Sequence, residues 1–216
     1  ATKYTLDYEK LPVMDKWLLS KLNTAIGQVD KHLEHYRIPE AARVLDNFVD
    51  EMSNWYVRRS RERFWARGME QDKINAYMTL YTALVDICKC AAPMVPFMAE
   101  EIYRNLVCSI DKNAPESIHL CDFPTVNEAF IDKELEDYME EVLRIVVLGR
   151  AARNEANIKN RQPIGEMIVK AERELPAFYR DIVRDELNVK EVTFTDDVSS
   201  YTSYSFKPQL RTLGPK

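Results

Sequence analysis

PEAARVLDNFVDEMSNWYVRRSRERFW, from Pro39 to Trp65, is the stretch on which the reading of the whole chain turns. Apolar residues at Ala41, Val44, Leu45, Phe48, Val49, Met52 and Trp55 recur at the three- and four-residue spacing of one helical face. Pro39 suits a first helical turn, where its missing N–H is no loss. At about 100° per residue, Arg59, Glu62 and Arg63 continue the line that Phe48 and Met52 begin. A stripe that starts as core and ends as arginine implies a helix that outruns its core. Its end then presents Trp55, Tyr56, Arg58, Arg59, Arg61 and Arg63 to something other than protein interior. Aromatic faces beside guanidinium groups suit unstacked nucleotides and phosphates. Between Asn54 and Arg67 five arginines face a single anion, Glu62, in a chain whose net charge is −5. A plainer reading pairs Glu62 with Arg58 and Arg59 on a solvated face and packs the aromatics. Trp55 fits either side of that boundary, as core or as stacking platform.

The chain has 216 residues, 46% of them hydrophobic and 30% charged, enough for a sizeable core and for one domain with a smaller appendage. Its acidic balance argues against an indiscriminate nucleic-acid binder but leaves room for a local basic patch. Cys88, Cys90, Cys108 and Cys121 form no CxxC pair, and Cys88 and Cys90 diverge by about 160° on a helix. They read as reduced, mostly buried thiols rather than a metal site, and the cytosol is the expected compartment. No run approaches the ~18 apolar residues of a membrane span. Both ends look cut, so a piece of a larger protein is expected.

Working outward, a helical stripe runs from Val13 to about Tyr36, interrupted by Gly27, whose expected purpose is close approach by a neighbouring helix. His32 and His35 near its end lack metal-ligand company and suit the dipole at a helix C-terminus. Gly68 marks the exit of the organising helix. A third helix is expected over Lys73 to Ala92 and a fourth over Phe97 to Leu106, with Glu100 and Glu101 as dipole partners rather than an acid/base pair. Ser109 to Thr125 reads as loop, with one extended piece at Ser117 to Leu120. Asp132 caps a long fifth helix reaching about Asn157, in which Gly149 implies tight packing. Its second half and the extended segment that follows are basic: Arg144, Arg150, Arg153, then Lys159 and Arg161 past the helix, against Glu155. Beyond Pro163 the period changes to strand (Glu166 to Ala171), helix (Pro176 to Leu187), strand (Glu191 to Thr195) and a further strand at Ser203 to Lys207. The expected architecture is mainly α: an antiparallel helical bundle over 1–162, followed by a small, truncated α/β subdomain over 163–216.

NFVDEMSNWYVRRSRERFW, together with APMVPFMAEEIY and RAARNEANIKNRQP, closely resembles the anticodon-binding region of isoleucyl-tRNA synthetases, which are class I aminoacyl-tRNA synthetases. The resemblance covers nearly the whole chain. Valyl and leucyl relatives share the helical architecture, but the WYVRRSRxRFW wording is of the isoleucyl kind. The resemblance implies an isoleucine-tRNA partner, the rest of a synthetase in cis, and ATP and magnesium used elsewhere in that parent. It also implies that this part holds no cofactor, metal or catalytic residue, since the family's activation signatures do not occur here. The residues expected to bind tRNA are Trp55, Tyr56, Arg58, Arg59, Arg61 and Arg63 in the first basic stretch, and Arg150, Arg153, Lys159 and Arg161 in the second. The competing reading is a helical module whose basic stretches bind acidic protein partners.

Overall fold

A computed structural model describes residues 4–171 and 174–201. The elements are α1 (Val13–Glu34), α2 (Ile38–Glu51), α3 (Arg61–Trp65), α4 (Gln71–Ala91), α5 (Pro96–Tyr103), α6 (Lys133–Glu155), β1 (Ile164–Lys170), α7 (Ala177–Leu187) and β2 (Val189–Thr195). Two compact units, Ala1–Glu136 and Asp137–Lys216, divide the chain inside α6 rather than at the expected 162/163 boundary. The physical reason is that α6 carries its own packing into the second unit. The Tyr138 and Tyr179 rings stack at 5.0 Å, and a Cβ added at Gly149 would stand 2.4 Å from Leu187 Cδ1. Leu187 can seat so close only because residue 149 has no side chain, as the sequence implied. The expected strand at Ser203 to Lys207 lies outside the described residues.

In the first unit, α1 contributes Trp17, Leu18, Leu22, Ile26 and Val29 to the core, and α2 contributes Ala41, Leu45 and Phe48. Gly27 admits a loop residue, not a neighbouring helix: a Cβ there would lie 3.3 Å from Val126 Cγ2. Polar side chains of α1 hold the linker into α6. Asn23 Oδ1 accepts from Asn127 N at 2.7 Å, and Ser20 Oγ accepts from Asp132 N at 2.8 Å. Asp132 caps α6 as expected, its Oδ1 accepting from Leu135 N at 3.1 Å.

α1 stops at Glu34, two residues before the expected end, because Tyr36 adopts a left-handed φ of 57°. Arg37 N and Tyr36 N then satisfy the carbonyls of His32 and Leu33. Asn157 and Asn188 close α6 and α7 in the same left-handed conformation. Residues 117–120, expected as an extended piece, instead form a 3-10 turn at Ile118–Leu120 that Ser117 caps by accepting from His119 N. Glu100 anchors this turn to α5, taking Ser117 Oγ at 2.8 Å and Ile118 N at 2.9 Å. These donors hold its carboxyl below the usual glutamate range. In the second unit β1 and β2 pair in parallel around α7, with Met167 opposite Val192 and Val169 opposite Phe194.

Candidate nucleic-acid interface

The organising helix is not one straight α-helix. After Glu51 the turn Met52–Val57 widens to π geometry, and a break at Ser60 separates α3. A π turn closes i→i+5 bonds and so absorbs an extra residue in the winding. The consequence is an inward line of Phe48, Met52, Tyr56, Ser60 and partly Phe64, each four residues from the last. Steps of four would drift around a regular 3.6-residue helix, and the wide turn takes up that drift. Arg63 ends on this inward side, as its line with Phe48 and Met52 implied; the inference that the helix outruns its core at that point is what the structure overturns.

Tyr56 and Arg63 were expected on the ligand face, and both turn inward. Tyr56 is fully buried, and its hydroxyl donates to Asp15 Oδ1 at 2.7 Å. Burial, followed by the Asp15 carboxylate, pushes that phenol far above its ordinary value. Arg63 bridges two carboxylates. It donates through its terminal nitrogens to Asp15 at 2.6 and 2.8 Å, and through Nε to both oxygens of Asp72 at 3.0 and 2.9 Å. Burial works against its charge, and the hydrogen bonds it donates to Asp15 and Asp72 outweigh that, so the guanidinium is held more firmly protonated than usual. Asp15, in the first turn of α1, has no exposure at all and is the counter-ion that draws Arg63 inward.

Trp55 is 6% exposed and belongs to the core side of its boundary. The exposed aromatic is Trp65, 75% accessible, with the Arg61 guanidinium 5.4 Å from its ring centroid. Arg58 lies 5.8 Å from the Trp55 ring and donates to Asn54 O, so Trp55 supports an arginine rather than offering an open face. Arg58, Arg61 and Arg67 are exposed and Arg59 is half-buried. Lys73 adds a cation beside them, donating to Ala66 O at 2.7 Å and lying 5.9 Å from the Tyr77 ring. Trp65 and Lys73 were missed in the sequence. The usable signal was the four-residue spacing of Arg61 and Trp65, which places one over the other on a helix.

The second basic stretch divides in the same way. Arg153, expected to bind tRNA, is 4% exposed and donates to the carbonyls of Leu187, Lys159 and Gln162. Those carbonyls end α7 and line the turn after α6, where Lys159 O also accepts from Gln162 N at 2.9 Å, so the buried cation ties the two segments together. Arg150 pairs with the nearly buried Glu186 at 2.8 Å. Lys159 and Arg161 keep exposed side chains. Their backbone carbonyls are held by Arg153 and Asn188, which fixes the loop that presents them.

Among the described residues no group of three His, Cys, Asp or Glu is placed to hold a metal, and no helix is long and apolar enough to cross a membrane. Burial, then the nearby Asp86 and Asp30, pushes the Cys90 thiol up to about 12, so it is a packing group and not a nucleophile at neutral pH.

An exposed tryptophan with a guanidinium beside it, among further arginines, is a face that an unstacked base and its phosphates can use. The chain belongs to the anticodon-binding domain family of tRNA ligases, whose model matches residues 15–170. Its relatives include the isoleucine–tRNA ligase of Clostridium novyi, 55% identical over 208 residues that make up 96% of this chain and 20% of the relative. The isoleucine–tRNA ligase of Clostridium tetani is 53% identical over 208 residues, with the same two shares. Isoleucine–tRNA ligase 2 of Bacillus cereus is 45% identical over 210 residues, again 96% of this chain and 20% of the relative. The chain thus spans about a fifth of the length of the curated relatives it matches.

Proposed function

We propose that this chain is the part of an isoleucine–tRNA ligase that grips the anticodon stem-loop of isoleucine tRNA. The observation that carries this reading is the exposed Trp65 with Arg61 stacked against it, beside Arg58 and Arg67, in a member of the anticodon-binding family. A base stacks on the indole, and the arginines meet the phosphates on either side of it. Lys159 and Arg161 supply further phosphate contacts from the turn after α6, and Arg59 belongs to the same class. Tyr56 and Arg63 support the tip from inside, and Arg153 separately supports the turn that carries Lys159 and Arg161. Ester formation with isoleucine, using ATP and magnesium, falls to other parts of the ligase in cis, in the cytosol. The isolated chain then performs no isoleucine-dependent exchange of pyrophosphate into ATP.

Footprinting of isoleucine tRNA on the full-length ligase tests the reading. Trp65→Ala and Arg61→Ala should each erase protection at the anticodon loop and leave protection elsewhere. Equal competition by cognate tRNA and by a generic polyanion would instead favour a module for acidic protein partners. Unchanged protection in both variants would remove the tip from the site.

A further inference from the structure

We infer that the Asp15–Arg63–Asp72 bridge positions the RNA-facing tip, so that Arg63 and Asp72 set its affinity without touching the ligand. The inference rests on reading that tip as the RNA surface. α3 has five residues, far short of the ~12–15 at which an isolated helix becomes even marginal in water. Its orientation must therefore come from tertiary anchors. Phe64 is one, edge-on to the Tyr56 and Tyr77 rings at 6.4 and 5.2 Å. Ring contacts of this kind leave rotation about the short helix poorly determined, because aromatic pairs tolerate a range of offsets.

Arg63 removes that freedom. A planar guanidinium held by two carboxylates on different edges has one orientation that satisfies both. Asp15 belongs to α1 and Asp72 to the first turn of α4, so the fork ties α3 to two longer helices at once. Arg61 and Trp65 each stand two residues from Arg63, about 160–200° around a helix. Pinning Arg63 inward consequently turns both of them outward, one turn apart, where they stack on each other. The side chain of Asp72 is 55% exposed and that of Arg63 only 19%, so the outer arm of the bridge lies near the surface and the inner arm is closed.

Asp72→Asn in the full-length ligase is the decisive variant. It takes the charge and one of two acceptor oxygens from the outer arm, leaving a neutral amide acceptor, while Asp15 retains the inner arm, so the domain still folds. By charge alone, deleting a carboxylate beside a polyanion tightens binding; loss of positioning weakens it. Affinity for isoleucine tRNA should fall by roughly three- to tenfold through added ordering on binding. The dependence of log affinity on log salt should stay as in wild type, because no phosphate contact is lost. Amide hydrogen exchange over residues 61–66 should quicken while that of α1 stays the same. Arg63→Lys keeps the charge, loses the fork, and should reproduce both effects. Binding that is unchanged or tighter in Asp72→Asn, or exchange over 61–66 that does not quicken, overturns the inference. A wild-type footprint that omits the tip overturns the underlying reading instead, and it is read on the wild type alone.

Discussion

Asp15 carries the inner bond of the Arg63 bridge and the Tyr56 hydroxyl bond on one carboxylate with no solvent exposure. Withdrawing a donor from such a group leaves charge in the interior with nothing to balance it. Arg63→Ala should therefore lower stability by about 3–5 kcal/mol, whereas Tyr56→Phe, which removes one hydrogen bond and keeps the ring, should cost about 1–3 kcal/mol. Urea denaturation of both variants checks the order; Arg63→Ala as mild as an ordinary surface change would deny the bridge its role. The two tryptophans of the same stretch should separate just as cleanly. Trp55→Ala opens a cavity and should cost about 3–5 kcal/mol. Trp65→Ala should cost under ~0.5 kcal/mol and weaken tRNA binding by about 1–3 kcal/mol, the worth of one stacked base. Paired melting and binding measurements would contradict this if Trp65→Ala lost stability and kept its affinity.

At the scale of elements, the helices and the strand–helix–strand order after Pro163 were readable from periodicity, and their ends, local winding and the parallel pairing of the strands were not. α4 and α7 lie within two residues of expectation because apolar spacing, Pro93 and Asn188 punctuate them. α1 ends early at Tyr36, a left-handed residue that no glycine signals. The π turn at Met52–Val57 left no mark that a single sequence discloses. Candidate site residues were correspondingly legible as a stretch but not one by one. Guanidinium count and aromatic content located the tip, while the choice between inward and outward depended on Asp15, about fifty positions upstream. The two helical glycines make this local physics testable. Gly149→Ala drives a Cβ to 2.4 Å from the buried Leu187 and should destabilise by about 1–3 kcal/mol despite better helix propensity. Gly27→Ala meets only Val126 Cγ2 at 3.3 Å, a contact that a shift of a few tenths of an ångström relieves, and should be neutral or stabilising by up to about 1 kcal/mol. Thermal melts of the pair should move in different directions; a shared loss would mean that the α1 linker is as rigid as the α6–α7 contact.

Across the molecule, a net charge of −5 coexists with a cationic tip because several carboxylates are committed to internal work. Glu136 is one. Burial tends to raise its pKa, but hydrogen bonds from Ser20, Lys133 and Thr24 outweigh burial and hold it below the ordinary 4.5. A carboxyl lowered in the folded state adds stability that is present above its unfolded value and is lost as pH falls through the folded one. Asp86 has the opposite sign. Burial raises it above 3.8 against the weaker pull of Lys89, whose ammonium lies 3.8 Å away. Its contribution is intact below the unfolded value and lost as pH rises through the folded one, so at neutral pH its ionised form strains the fold. Glu136→Gln should then destabilise at pH 7 by roughly 1–3 kcal/mol, the scale of hydrogen bonds to a charged group, with the gap to wild type closing as pH drops below about 4.5. Asp86→Asn should stabilise at pH 7, and its gap should also close on acidification, from the other side. Urea midpoints for the three proteins between pH 7 and pH 3 would therefore converge from above and below the wild-type curve. Curves that stay parallel across that range would show that neither carboxyl changes its protonation on folding in the way its neighbours require.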